Sequence, residues 1–297
     1  MGNRLITRGV LIALILGAGF WLRTLQPLHL MAAWPWTGTT VVTLYFLDGG
    51  SDRTRPTDPP YLFPLSRHMP AGAELSRAAV EALLAGPPAG SRLRNALPPG
   101  ITLRSIDVSN GIARVDLSGP PERLRDSPGS TTALVATLTG LPGVSSAALS
   151  IDGAPIDTPV RMALLYYPSA DGLVATPTPA SGPRATLEAF LAGPANPALT
   201  GMPPDARLVD YAFDADSGQA SLAFAYTPSV RTLALERPDR MRFLLLGLIA
   251  TLTGYPEVRS VRLDFGGQSR LGLGECSDLL RTPQPRPALL NDERLLR

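Results

Sequence analysis

Hydrophobic and polar positions follow two different periods along this chain. Over 101–117 apolar residues recur at every second position, which is typical of strands that bury one face. Asn110-Gly111 interrupts this run, and the pair favours a two-residue hairpin turn because both residues tolerate positive φ. At 79–84 and 134–138 the apolar residues instead recur at helical spacing. The chain therefore predicts strands and helices in alternation.

These patterns occur twice in the same order. VEALLAGPP, which begins at Val80, recurs as LEAFLAGPA from Leu187. ALVATLTGLPGVSSAALSIDG, which ends at Gly153, recurs as GLIATLTGYPEVRSVRLDFGG. The distance between the copies grows from 107 to 114 residues, which places about seven extra residues of the second copy between Ala225 and Ala250. A repeat of about 110 residues has the size of a domain, so we predict a tandem duplication.

Each copy predicts the element order β-α-β-β-α-β. Such a unit should fold as an α+β domain in which two helices pack on one face of a small, mainly antiparallel sheet. We place the first domain at 41–157 and the second at 158–270. Residues 1–40 precede the first domain, and 271–297 form a C-terminal tail. We assign no structure to the part of the tail from Pro283 onward.

Three local features carry finer predictions. We expect the proline- and glycine-rich segments 49–60 and 169–181 to be mobile loops. We expect Gly140 and Gly254 to end the second helix of each copy in a left-handed conformation. The run FLLL at 243–246 makes the last helix more apolar than its role requires. We therefore expect its surplus face to meet the first domain or a partner.

The N-terminal region predicts export from the cytoplasm. Residues 1–40 contain three arginines and no acid, and an uncharged apolar stretch occupies 9–22. A cleaved signal peptide has this form, because its apolar core spans roughly 7–15 residues. An uncleaved anchor is the other interpretation, since no small-x-small cleavage site follows Leu22 and snorkelling arginines would let 5–25 span the membrane. In either case we expect the rest of the chain to lie outside the cytoplasm, attached to the membrane by this helix or secreted.

Composition excludes several classes of function. The chain has 27 basic residues, all of them arginine, and 25 acidic ones; with the three arginines of 1–40 set aside, the rest carries a net charge of −1. A protein that binds nucleic acid is therefore not expected. The lone Cys276 excludes an intramolecular disulfide, and His29 and His68 are too few for most metal or triad chemistry. We predict no catalytic, cofactor-binding or metal-binding residue, and no cofactor.

The remaining polar candidates have a chemical and a structural interpretation. Glu81 and Glu188 occupy the same place in both copies and offer a carboxylate pair for glycan cleavage, but a glutamate on a helix flank is more often solvated or paired with arginine. Threonines near a helix end usually hydrogen-bond to the preceding turn, and we interpret those of ATLTG in this way. They are Thr137, Thr139, Thr251 and Thr253. We interpret His68 as a surface-loop residue, Asp152 as a turn residue and Cys276 as a passive thiol.

These blocks, together with LYF at 44–46 and SNGIARVDLS at 109–118, resemble the GerMN domain, the sporulation and spore-germination domain of GerM-like lipoproteins. The resemblance covers 41–153 and, more loosely, 160–267. It implies an α+β, non-enzymatic, extracytoplasmic protein that binds other envelope or sporulation-complex proteins. This chain lacks the lipobox cysteine of many relatives, so its N-terminal helix would have to provide attachment. The alternative is a cell-wall module that binds peptidoglycan directly and is not restricted to sporulation.

Overall fold

The computed structural model describes residues 38–49, 60–127, 129–157, 162–266 and 273–293. Both copies of the repeat belong to one compact unit, which begins at Thr40. The predicted N-terminal membrane segment lies outside the described residues, as does most of the predicted loop at 49–60.

The described elements of the two copies follow the same order. The first copy forms β1 (Thr39–Leu47), β2 (Leu62–Pro70), α1 (Leu75–Ala85), β3 (Thr102–Ser109), β4 (Ile112–Ser118), α2 (Pro121–Arg125), α3 (Ser130–Thr139), β5 (Ser146–Ile151) and β6 (Ala154–Pro155). The second copy forms β7 (Ala163–Pro168), β8 (Leu173–Thr178), α4 (Pro183–Leu191), β9 (Leu208–Asp214), β10 (Gln219–Phe224), α5 (Pro228–Glu236), α6 (Pro238–Leu252) and β11 (Ser260–Phe265). A 3₁₀ helix (Gly274–Ser277), α7 (Asp278–Arg281) and β12 (Gln284–Pro285) follow.

Within the described residues the strands form three four-stranded sheets. The order β3-β4-β5-β6 belongs to the first copy, β9-β10-β11-β12 to the second copy and its tail, and β1-β2-β8-β7 to both copies. The hairpins β3–β4 and β9–β10 are antiparallel, whereas β4–β5 and β10–β11 are parallel. These sheets and the helices packed on them confirm the predicted α+β class.

The shared sheet corrects our expectation for the segment after the first strand of each copy. We predicted a mobile loop at 169–181, but β8 occupies its middle, and His68 lies on β2. Pro64 and Pro177 concealed these strands, because proline lacks the N–H that a strand inside a sheet normally donates. β2 pairs with β8, so each of these strands finds a partner in the other copy.

The predicted hairpin turn is confirmed, whereas the predicted helix caps are wrong. Asn110 and Gly111 adopt φ of 53° and 76° and join β3 to β4. Gly140 has a φ of −81°, because its N–H still donates a helical hydrogen bond to the carbonyl of Ala136 at 3.1 Å. Gly254 likewise has no positive φ. Neither helix therefore ends in the left-handed conformation that we predicted.

The extra residues of the second copy lie in its helical region, as the repeat offsets predict. α5 has nine residues where α2 has five, and α6 has 15 where α3 has ten. The apolar surplus of α6 does not mainly meet the first copy, since the helix packs against β7, α4, α5 and the 3₁₀ helix. The longer α5 and the C-terminal segment supply that second apolar contact. Phe243, from the apolar run, stays 38% exposed, and contact with a partner stays a prediction.

The C-terminal segment, to which we assigned no structure, fastens the two copies together. Asn291 donates from Nδ2 to the carbonyl oxygens of Pro64 on β2 and Leu173 on β8, at 2.8 Å each. Its Oδ1 accepts the N–H of Leu173, also at 2.8 Å. Gly172 leaves room for this side chain, because a Cβ there would overlap Oδ1 and the φ of 142° disfavours other residues. The asparagine thus bridges two strands from different copies.

Candidate binding sites

Two buried tyrosines, one from the first strand of each copy, meet between the copies. Tyr45 lies on β1 and Tyr166 on β7, and their hydroxyl oxygens are 2.5 Å apart. Burial, followed by the neighbouring phenol, raises the pKa of Tyr45 well above its ordinary value of 10.0. The Tyr45 hydroxyl therefore keeps its hydrogen at physiological pH and acts as a donor as well as an acceptor.

The threonines of the repeated ATLTG divide into two roles. Thr139 and Thr253 donate to carbonyls one helical turn earlier, at 2.8 and 2.7 Å, which confirms the predicted back-bonding. Thr137 and Thr251 instead accept the backbone N–H of the two tyrosines, at 3.2 and 3.1 Å. Because β1 and β7 are the edge strands of the shared sheet, these hydroxyls satisfy N–H groups at its two margins.

One arginine from the C-terminal segment completes this arrangement. Arg286 donates from Nη2 to the Tyr166 hydroxyl at 3.3 Å and from Nη1 to the carbonyl of Ala250 in α6 at 3.2 Å. Its guanidinium also lies 5.9 Å from the centre of the Tyr166 ring. None of the ion pairs within the described residues includes this arginine. We call Tyr45, Tyr166 and Arg286 the tyrosine–arginine cluster.

The tyrosine–arginine cluster lines a cleft of about 1030 Å³ between the copies. The walls come from the C-terminal ends of α3 and α6, from β7 and from the segment that joins β8 to α4. Most other lining residues are small, apolar or hydroxyl-bearing. Among the described residues that line the cleft, only Arg286 carries a formal charge.

The cleft was not predicted from the sequence. Its available signal was the tyrosine shared by LYF at 44–46 and LYY at 165–167, which the structure shows to be equivalent positions. Arg286 gave no signal, because it lies in the segment to which we assigned no structure.

The open edges of the two separate sheets form a second kind of surface. Within the described residues β3 and β9 each have a neighbouring strand on one side only. Val108 on β3 is 41% exposed, and on β9 Val209 is 70% and Phe213 37% exposed. An edge strand that carries exposed apolar side chains is a template for pairing with another extended chain.

The two glutamates considered for glycan cleavage are each paired on their own helix. Glu81 lies 3.8 Å from Arg77 on α1, and Glu188 lies 3.3 Å from Arg184 on α4. Both side chains are more than half exposed. This confirms the arginine-paired interpretation of both residues, and the structure does not bring the glutamates into one site.

The other candidates also take structural positions. Asp152, with a φ of 47°, forms with Gly153 the turn between β5 and β6, as predicted. Cys276 is buried, and its thiol donates to the carbonyl of Pro238 at 3.4 Å, in agreement with a passive thiol. His68 is exposed, as predicted, but it belongs to a strand rather than to a loop.

The sequence matches the Germane family, described as sporulation and spore germination, over residues 43–157 and again over 164–270. These two matches cover well over half of the chain. No curated protein matches it.

One solved structure with tandem GerMN domains resembles the described fold. The tandem GerMN domains of the sporulation protein GerM from Bacillus subtilis are 19% identical, with a TM-score of 0.61, over 85% of this chain and 99% of that chain. The first GerMN domain of that protein alone gives 21% identity and a TM-score of 0.31, over 41% of this chain and 90% of its own. A putative lipoprotein from Clostridium perfringens is 19% identical, with a TM-score of 0.25, over 49% of this chain and 91% of that chain. The first similarity supports the tandem α+β fold.

Proposed function

The chain belongs to the Germane family of sporulation and spore germination, and from this membership we propose that it is a non-enzymatic envelope protein that binds other envelope proteins. The open strands β3 and β9 carry the proposal, because each copy presents one edge with exposed apolar side chains. Such an edge binds an extended segment through main-chain hydrogen bonds and gains specificity from alternate side chains.

Site-specific cross-linking in cells tests this contact. A photoreactive amino acid placed at Val209, which is 70% exposed, should cross-link to envelope proteins during sporulation or germination. The same probe at Glu81, on the surface of α1, is the control. Phe213→Lys should abolish the cross-link at Val209 because it places a charge on the edge. Equal products from both probes, or none from either in growing and sporulating cells, would contradict edge-mediated binding.

We place the protein outside the cytoplasm, attached to the membrane by residues 5–25. The arginines that precede the apolar stretch at 9–22 support this orientation. In the part of the chain that the structure describes, no helix is both long and apolar enough to cross a bilayer. Membrane fractionation combined with mass determination of the mature N-terminus distinguishes an anchor from a cleaved signal.

The sporulation role has its own test. A fusion to a fluorescent protein that matures outside the cytoplasm should concentrate at the engulfing septum or around the forespore. A uniform peripheral signal that does not change on starvation would contradict a role confined to sporulation. Pelleting of the protein with purified sacculi tests the alternative, direct binding to peptidoglycan.

The absence of enzymatic activity also belongs to the proposal. The separate arginine pairing of Glu81 and Glu188 supports it. Dye-labelled cell wall should therefore release no dye in the presence of this protein. Release that is lost in Glu81→Gln or Glu188→Gln would overturn this part of the proposal.

A further inference from the structure

We propose that the cleft between the two copies binds the C-terminal carboxylate of a short peptide with small side chains, held by the tyrosine–arginine cluster. The inference goes beyond the proposed function, because it rests on the geometry of the cleft and not on the open sheet edges. A protein that failed the cross-linking test could still pass this one.

The positive charge of Arg286 is the first observation that supports a carboxylate ligand. Arg286 lines the cleft, and none of the ion pairs within the described residues neutralises it. Its described contacts are the ring and hydroxyl of Tyr166, the hydroxyl of Tyr45 and one main-chain carbonyl. A guanidinium that is partly removed from water gains most from an anionic acceptor, because charge-assisted hydrogen bonds are about twice as strong as neutral ones.

The second observation is that the tyrosine–arginine cluster has more hydrogen-bond donors than the described acceptors around it use. Tyr45 and Tyr166 carry one hydroxyl hydrogen each, and only one of the two can lie between their oxygens. Within the described residues the structure provides no acceptor for the other hydrogen. Arg286 has further N–H groups beyond those that are bonded. The cluster therefore presents donors to the cleft and matches a ligand that only accepts.

Cleft size and lining define the rest of the ligand. A volume of about 1030 Å³ lies at the upper end of pockets that enclose small organic ligands. Leu164 and Val144 supply apolar surface, while Thr132, Thr178 and Ser145 supply hydroxyls along the same walls. Small apolar side chains and peptide groups fit this mixture. The single formal positive charge among the described lining residues favours a carboxylate over a phosphate dianion, because the second negative charge would be desolvated without a partner.

An NMR titration of the full-length protein tests the inference. The probe is N-acetyl-alanyl-alanine with a free carboxylate, compared with its C-terminal amide and with inorganic phosphate. The free acid should bind at least about tenfold more tightly than the amide, the ratio expected when a charge-assisted hydrogen bond is lost. Arg286→Met should remove this difference. Arg77→Met, which replaces a partly exposed arginine on α1, is the matched control and should preserve it.

A second variant separates binding from folding, because Arg286 also holds the end of α6. Tyr45→Phe removes one hydroxyl and keeps the ring, and it should weaken binding of the acid while leaving that of the amide unchanged. Equal binding of acid and amide would overturn the inference. Phosphate binding as tight as that of the acid, or acid binding that both variants preserve, would overturn it as well.

Discussion

Replacing Asn291 by alanine should destabilise the protein more than loss of an ordinary polar side chain. The side chain makes three hydrogen bonds of 2.8 Å between β2 and β8, and it is 8% exposed. A hydrogen bond contributes about 1 kcal/mol net, so we expect the free energy of unfolding to fall by about 3 kcal/mol. For a chain of this size the melting temperature should fall by roughly 6–12 °C.

Urea denaturation followed by circular dichroism measures this loss, with Asn196→Ala as the control. Asn196 is equally buried, at 7%, but its side chain accepts one local hydrogen bond, from Ala198. Its replacement should lower the free energy of unfolding by about 1 kcal/mol. If Asn291→Ala lowered it no more than the control does, the C-terminal segment would not hold the shared sheet together.

The stability of the variant Asn291→Asp should depend on pH. A carboxylate there cannot donate to the carbonyls of Pro64 and Leu173 and would lie against both oxygens. The pKa of this aspartate should therefore be raised in the folded state, so stability is highest below its ordinary pKa and is lost as pH rises through the folded value. A variant that gained stability over that range would contradict the assigned donor geometry.

Three further predictions concern contacts of β1 and β7, the first strands of the two copies. Gly247→Ala should lower the free energy of unfolding by about 1–3 kcal/mol, although alanine favours helices, because its Cβ would overlap the carbonyl oxygen of Tyr166; an unchanged or higher melting temperature would contradict the close packing of α6 on β7. Thr137→Val should lower the free energy of unfolding by about 1–3 kcal/mol, since the buried N–H of Tyr45 loses its acceptor. Thr139→Val, which loses a bond only within its helix, is the control, and equal losses in urea denaturation would contradict this role. Finally, the raised pKa of Tyr45 means that stability is complete below its ordinary pKa of 10.0 and falls as pH rises through the folded value. Phenolate absorbance should therefore appear together with unfolding in an alkaline titration, and ionisation of this buried phenol in a folded protein would contradict it.

The helix caps show where local rules fail. Glycine after an apolar helix usually adopts a left-handed conformation, yet Gly140 remains right-handed. Its N–H still donates a helical hydrogen bond to the carbonyl of Ala136. The first threonine of the same repeated block depends instead on a contact far along the chain. Thr137 reaches the strand β1 while Thr139 bonds within its helix. A pattern search recognises the repeated threonines but does not show which strand they meet.

The sequence by itself determined the elements that depend on near neighbours. Alternation on both sides of Asn110-Gly111 follows from side-chain periodicity and turn chemistry, and it predicts β3 and β4 within a residue or two of their bounds. Helical spacing at 79–84 predicts α1 and its end, although the helix already begins at Leu75. The duplication could also be predicted, because comparison of the sequence with itself identifies two copies of one pattern.

Only the tertiary structure decided how the two copies join. β2 and β8 carry prolines and little alternation, and the pairing between them joins the strands of the two copies into one sheet. Asn291 contacts Pro64 across a sequence separation of 227 residues, and Tyr45 meets Tyr166 across 121. Local patterns indicate which face of an element is buried. Contacts at such sequence separations depend instead on how whole sheets and helices pack against one another. The shared sheet, the tyrosine–arginine cluster and the cleft all arise at that level.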